Sequence, residues 1–346
     1  MRIVLDALGS DLAPGPEIRG AVEAARTGEC EIVLVGPEDD LKKRLAAYPK
    51  CKNISIVHAP YRIEMHDSPV SAVRQKRDSS LHVGLRLIKH GEAEAFVSAG
   101  NTGAVMVAAR TILRPIPGVV RSAVCQIVPT RENPVVMLDL GANVDCTAKH
   151  LCQFAEMGSV YCRDMLGVKS PRVGLLNIGE EQVKGNELAK TVHRHLSNAP
   201  HLNFIGNVEP KAVFQGIADV VVTDGFVGNV MLKTSEGVAS LIATLLKREL
   251  NRSWMSQIGA IFSIGAHRRL KRIIDPNEHP GAPLLGVQGT VIILHGSSTA
   301  TGIKNGILGA GLSVRRNVNE HIRAAIEELR ESDDMLDVGA HDGTDG

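Results

Sequence analysis

Short, mainly apolar runs punctuate the chain at residues 3–5, 32–35, 54–57, 95–97, 135–138, 173–176, 203–205, 220–222 and 291–294. Each is too short for a helix and most are rich in β-branched side chains, so each reads as a strand. Continuous apolarity, as opposed to alternation, marks strands covered on both faces, as in a mainly parallel sheet. Between the runs lie stretches whose apolar residues return about every 3.6 positions, at 16–26, 81–90, 148–165 and 187–196, and these read as helices. The alternation predicts an α/β fold with a doubly wound, mainly parallel sheet, one catalytic domain over residues 1–330.

Residues 252–274 depart from this rhythm. Trp254, Met255, Ile258, Ile261, Phe262 and Ile264 are interleaved with small residues, and Arg268, Arg269 and Arg272 follow beside His267 and Lys271. A peripheral amphipathic helical segment is expected, packed on protein or lying on an anionic membrane surface. The tail, 331–346, is acidic and aperiodic and is expected to be disordered.

Composition narrows the classes. Of 346 residues, 44% are hydrophobic and 22% charged, and the formal net charge is +1. That balance argues against a dedicated nucleic-acid binder, which needs a basic surplus. The chain enters its first strand directly and no apolar run reaches the roughly 20 residues of a membrane span, so a cytoplasmic protein is expected. The six cysteines form no C-x-x-C pair and read as reduced residues. No metal site and no cofactor are expected: the cysteines and histidines are scattered, and no P-loop, G-x-S-x-G or H-E-x-x-H motif is present.

In a doubly wound fold, ligands bind beyond the carboxyl ends of strands. Six such ends carry small, amide, hydroxyl and carboxylate residues: Asp6 to Asp11, Ser98-Ala99-Gly100-Asn101-Thr102-Gly103, Asp139-Leu140-Gly141-Ala142-Asn143, Asn177 to Glu187, Thr223-Asp224-Gly225 through Asn229, and His295-Gly296-Ser297-Ser298. Glycines let backbone N–H groups approach an anion, and Asn, Ser or Thr cap the following helix. Together they predict a phosphate-handling site.

The order and wording of these loops resemble the phosphate acyltransferase family (PlsX) of bacterial phospholipid synthesis, over about residues 1–330. The most specific stretches are Gly174-Leu175-Leu176-Asn177-Ile178-Gly179 with Lys184-Gly185-Asn186-Glu187, and Asp219 to Phe226 with Gly228-Asn229-Val230. The resemblance implies a fold of the isocitrate dehydrogenase/phosphotransacetylase type. It implies that a long-chain acyl group passes from acyl carrier protein to inorganic phosphate, giving acyl phosphate. A homodimer loosely attached to the membrane is implied too, its product feeding a membrane-bound glycerol-3-phosphate acyltransferase.

Phosphate is itself a nucleophile towards a thioester, so the protein must position it and stabilise an oxyanion. Within that picture Lys184 is the expected cation and His295 the expected proton donor to the leaving thiolate, with Asn229 beside them. Asn101, Thr102, Gly103, Asp139, Gly141, Asn143, Asn177, Gly179, Asn186, Glu187, Asp224 and Gly225 are the expected substrate-binding set, Asp139 and Asp224 orienting Lys184 or the backbone. Arg74, Lys76 and Arg77 form one candidate surface for the acidic carrier protein, and 268–272 another. Phosphotransacetylase-like use of coenzyme A, and a non-catalytic membrane scaffold, are the two rival readings.

Overall fold

Eleven strands form one sheet in the computed structural model, which describes residues 1–341, without the side-chain surroundings of 267, 271 and 330–341. One half contains β1 (Arg2–Asp6), β2 (Glu31–Gly36), β3 (Ile54–His58), β4 (Ala95–Ser98) and the late strand β11 (Thr290–Ile293). These five run parallel in the order β3-β2-β1-β4-β11. The other half contains β6 (Val135–Leu138), β7 (Arg172–Leu176), β8 (Asn203–Val208) and β9 (Val220–Val222), parallel in the order β6-β9-β7-β8.

Two strands absent from the apolar-run reading join the halves. They are β5 (Ala123–Val128) and β10 (Ala282–Leu285), each antiparallel to both of its neighbours. Three antiparallel steps separate β11 from β6, so the two parallel sets point in opposite directions. This corrects the expectation of a single carboxyl edge. The ends of β1, β4 and β11 face one end of the sheet, and those of β6, β7 and β9 face the other.

Both faces are covered, as continuous apolarity requires. Val4 packs into one cluster and its neighbours Ile3 and Leu5 into another, while Val135 and Met137 oppose Val136 and Leu138 in the same way. The cluster containing Val4 and Met137 extends across both halves.

Caps set the helix starts. Asn101, Thr147, Asn186, Asp224 and Thr299 each accept a backbone N–H of the following turn. Asp224 opens the long helix Gly225–Leu250, which leaves the sheet after one turn with Gly225 and Gly228 buried. Helices Trp254–Phe262 and Ile264–Ile274 follow, where the peripheral segment is expected, and the first of them buries no residue. Side chains of His267 and Lys271 lie outside the described residues. The last helix, Val318–His341, continues into the stretch expected to be disordered; residues 342–346 of that tail lie outside the described residues.

Candidate active site

A groove of about 1630 Å³ crosses the face of the sheet where the two halves meet. Its floor is Val124 and Gln126 of β5, Ala282 of β10 and Ile293 of β11, and its roof is the long helix with the two helices after it. Because the central strands are antiparallel, the groove connects the loop after β11 with the loop after β6, ends that a single-edge sheet would place side by side.

Thr102, Asn229, Lys233, His295, Ser297 and Ser298 line it with polar groups where the loops after β4 and β11 meet the long helix, and Lys247, Asn251 and Gln257 add others along the roof. Lys233 Nζ lies 3.1 Å from His295 Nε2 and 2.8 Å from Glu236 Oε2. An ammonium has donors only, so His295 accepts at Nε2 and carries its proton on Nδ1. Lys233 has no counterpart among the residues expected from sequence. In a helix that reads as an ordinary amphipathic stretch, a lysine looks like part of a solvated face; only the approach of the β11 loop gives it a partner.

The loop after β6 is held by a carboxylate. Asp139 Oδ1 accepts from the N–H groups of Val124 and Ala142 at 2.9 and 3.1 Å, and Oδ2 from Asn143 N and Nδ2 at 2.7 and 2.9 Å. Burial pushes its carboxyl above the usual range, and these bonds pull in the opposite direction. A side chain at Gly225 would stand 2.7 Å from Asp139 Oδ2, which explains glycine at the head of the long helix. Gly141, at φ +118°, lets the loop pass beside Asn229. Asn143 Nδ2 also donates to Ser122 O at 2.8 Å, so Asp139 and Asn143 serve the loop itself.

The other expected residues divide similarly. Asn101 caps helix Thr102–Ile112 through Oδ1 and donates to the carbonyls of Glu64, Met65 and Asp67, leaving Thr102 to face the groove. Gly103 allows close packing, since a Cβ there would meet Pro69 at 2.7 Å.

Lys184 is exposed and is not among the residues lining the groove. Its loop, after β7, is braced by Asn177, whose Nδ2 donates to Lys184 O at 3.1 Å while Oδ1 accepts from Ile178 N at 2.8 Å. The stem of Lys184 packs against Gly179, Asn186 caps the next helix, and Glu187 pairs with Lys190 at 2.9 Å. The structure therefore joins Asn229, His295 and Thr102 at one groove and gathers Lys184, Asn177, Gly179, Asn186 and Glu187 in a separate loop.

Comparison with solved structures places the architecture. A phosphotransacetylase from Streptococcus pyogenes matches with TM-score 0.60 at 17% identity, covering 91% of this chain and 94% of that one. A branched-chain phosphotransacylase from Enterococcus faecalis V583 matches with TM-score 0.54 at 15% identity, covering 91% and 100%. The class is thus an α/β protein with the phosphotransacylase fold, carrying a polar-ended apolar groove. The family model described as "Fatty acid synthesis protein" matches residues 1–321. Phosphate acyltransferases of Dictyoglomus turgidum and Acidobacterium capsulatum are 45% and 47% identical, covering 96% and 93% of this chain and 100% and 96% of those proteins. The chain belongs to this phosphate acyltransferase family, and it is an acyltransferase.

Proposed function

We propose that this acyltransferase carries a long-chain acyl group from acyl carrier protein to inorganic phosphate, yielding acyl phosphate for phospholipid synthesis. The observation that carries the reading is the groove itself: an apolar channel ending in hydroxyls, an amide, an imidazole and an ammonium, in a chain of this family.

Phosphate sits at the N-terminus of helix Thr102–Ile112, between the hydroxyls of Thr102, Ser297 and Ser298, where helix dipole and free N–H groups favour an anion. A phosphate oxygen attacks the thioester carbonyl carbon. The new C–O bond forms as the carbonyl π pair moves to oxygen, and the Lys233 ammonium and the Asn229 carboxamide stabilise that oxyanion. Collapse breaks the C–S bond; the departing thiolate takes a proton from the Lys233 ammonium and leaves as the carrier's thiol, and the proton that the attacking hydrogen phosphate carried restores the ammonium. Glu236 keeps Lys233 in place from its other side.

The arginines of 74 and 77, exposed near Lys76, give the acidic carrier protein a basic landing surface. Val230, Val238, Leu241 and Leu245 form an exposed apolar stripe along the long helix, suited to a second copy in a homodimer. Trp254, Met255 and Phe262, all more than 60% exposed, fit a membrane interface, and exposed Arg268, Arg269 and Arg272 fit anionic headgroups. Such contact brings a poorly soluble product to a membrane-bound glycerol-3-phosphate acyltransferase. No helix among the described residues is long and apolar enough to cross a membrane.

The test is acyl phosphate formation by purified protein from palmitoyl carrier protein and phosphate, with phosphate omitted as control and acetyl-coenzyme A as the competing donor. Product from the carrier substrate alone is expected. Product from acetyl-coenzyme A at equal efficiency would replace this reading with a phosphotransacetylase one.

A further inference from the structure

The groove-facing stripe of helix Gly225–Leu250 changes character along its length. Along the wall of a groove that Leu232, Ser240, Ile242 and Lys247 also line, Lys233 and Glu236 are charged, Ala239 and Ala243 small, and Leu246 and Leu250 large. Steps of three and four residues keep them on one helix face. Opposite, Ile261 and Leu270 line the same groove, and they remain 67% and 48% exposed, an apolar wall with no protein covering it among the described residues.

Length decides what such a wall suits. A helix rises about 1.5 Å per residue, so Ala243 stands about 15 Å beyond Lys233. Half of a bilayer's hydrocarbon core, one long acyl chain deep, is also about 15 Å. A chain that fills this depth with its carbonyl held at Lys233 therefore ends beside Ala243, one turn before Leu246.

We infer that Ala243 and Leu246 form the acyl-chain gauge of this enzyme: Ala243 leaves room for the terminal methylenes, and Leu246 closes the groove behind them. The inference rests on the acyl-transfer reading above and adds the location and length limit of the acyl subsite. An octanoyl chain, half as long, ends near Ala239 and does not reach the gauge.

The experiment measures kcat/KM for octanoyl, palmitoyl and stearoyl carrier protein with wild type, Ala243→Phe and Leu246→Ala. Each methylene that loses its apolar cover costs about fourfold. Ala243→Phe is expected to lower the palmitoyl-to-octanoyl ratio at least tenfold, and Leu246→Ala to raise the stearoyl-to-palmitoyl ratio severalfold. Both sites lie on an exposed helix, and circular dichroism with the mass of the native assembly checks that the fold is retained. Ratios equal to wild type in both variants overturn the gauge. So does a change in the mass of the native assembly without a change in ratio, which assigns the groove to a second copy. A wild-type protein that makes no acyl phosphate from any chain overturns the reaction reading beneath it, a result separable from unchanged ratios.

Discussion

At the scale of single residues, the proposed chemistry turns on which cation meets the oxyanion. Lys233 lines the groove with His295 as its partner, whereas Lys184 stands on a loop outside it. Removing one preorganised donor to an oxyanion costs about 10²–10³ in rate. Lys233→Ala is expected to lower kcat by that order with circular dichroism unchanged, and kcat within threefold of wild type would remove Lys233 from the chemistry. Lys184→Ala in the same assay is the informative comparison: an equal fall would place phosphate at the Asn177 loop instead. Asp139, Asn143, Asn101 and Asn177 illustrate a general difficulty of sequence reading. Amides and carboxylates beside glycines suit both ligand binding and loop construction, and here their hydrogen bonds go largely to backbone groups.

Among secondary-structure elements, the strands of the second half are tied by an ion pair at their entrance. Asp219, just before β9, accepts from Arg172 of β7 at N, Nε and Nη2, at 2.8, 2.9 and 2.9 Å. Hydrogen bonding to the Arg172 guanidinium holds the Asp219 carboxyl below the ordinary carboxylate value. A lowered folded-state pKa contributes stability above the unfolded value, about 3.9, and loses it as pH falls through the folded value. Asp219→Asn is therefore expected to be less stable by about 1.5 kcal/mol at pH 7, the lower end for charged hydrogen bonds because Arg172 is 40% exposed. Urea unfolding at pH 7 and again below pH 4 checks it; a stability gap that does not narrow on acidification would contradict the ion-pair account. Asp6, Glu17 and Asp139 have the opposite sign, since burial raises their carboxyls and favours the neutral form at low pH.

For the whole molecule, the long helix and the two that follow it link chemistry to surface. They roof the groove and also present Trp254 at 72% and Phe262 at 88% exposure. Burying a large apolar side chain is worth about 1.5–3 kcal/mol, and each basic residue near an anionic surface about 1 kcal/mol. The double variant Trp254→Ser, Phe262→Ser is expected to bind phosphatidylglycerol-containing vesicles at least tenfold more weakly in a sedimentation assay. Binding equal to wild type would turn that apolar surface over to a protein contact.

Much was legible from residues alone. Nine strands followed from apolar runs, because a strand covered on both faces must be apolar at nearly every position; β3 and β8, at the two edges of the sheet, instead alternate with exposed residues such as Ser55 and Asn203. The family and its acyl-transfer chemistry followed from the wording of the strand-end loops. Strands β5 and β10 escaped: Pro283 interrupts one, and neither is flanked by the strand–helix alternation that makes the others stand out. Those two strands reverse the second half of the sheet, and their antiparallel pairing is a contact between residues some 160 positions apart, Val124 with Leu284. Local pattern records what each segment buries; it does not record which distant segment covers it. Hence the sequence determined the elements, the family and the polar loops, while only tertiary pairing decided that those loops face opposite ends, that a groove joins them, and that Lys233 reaches His295.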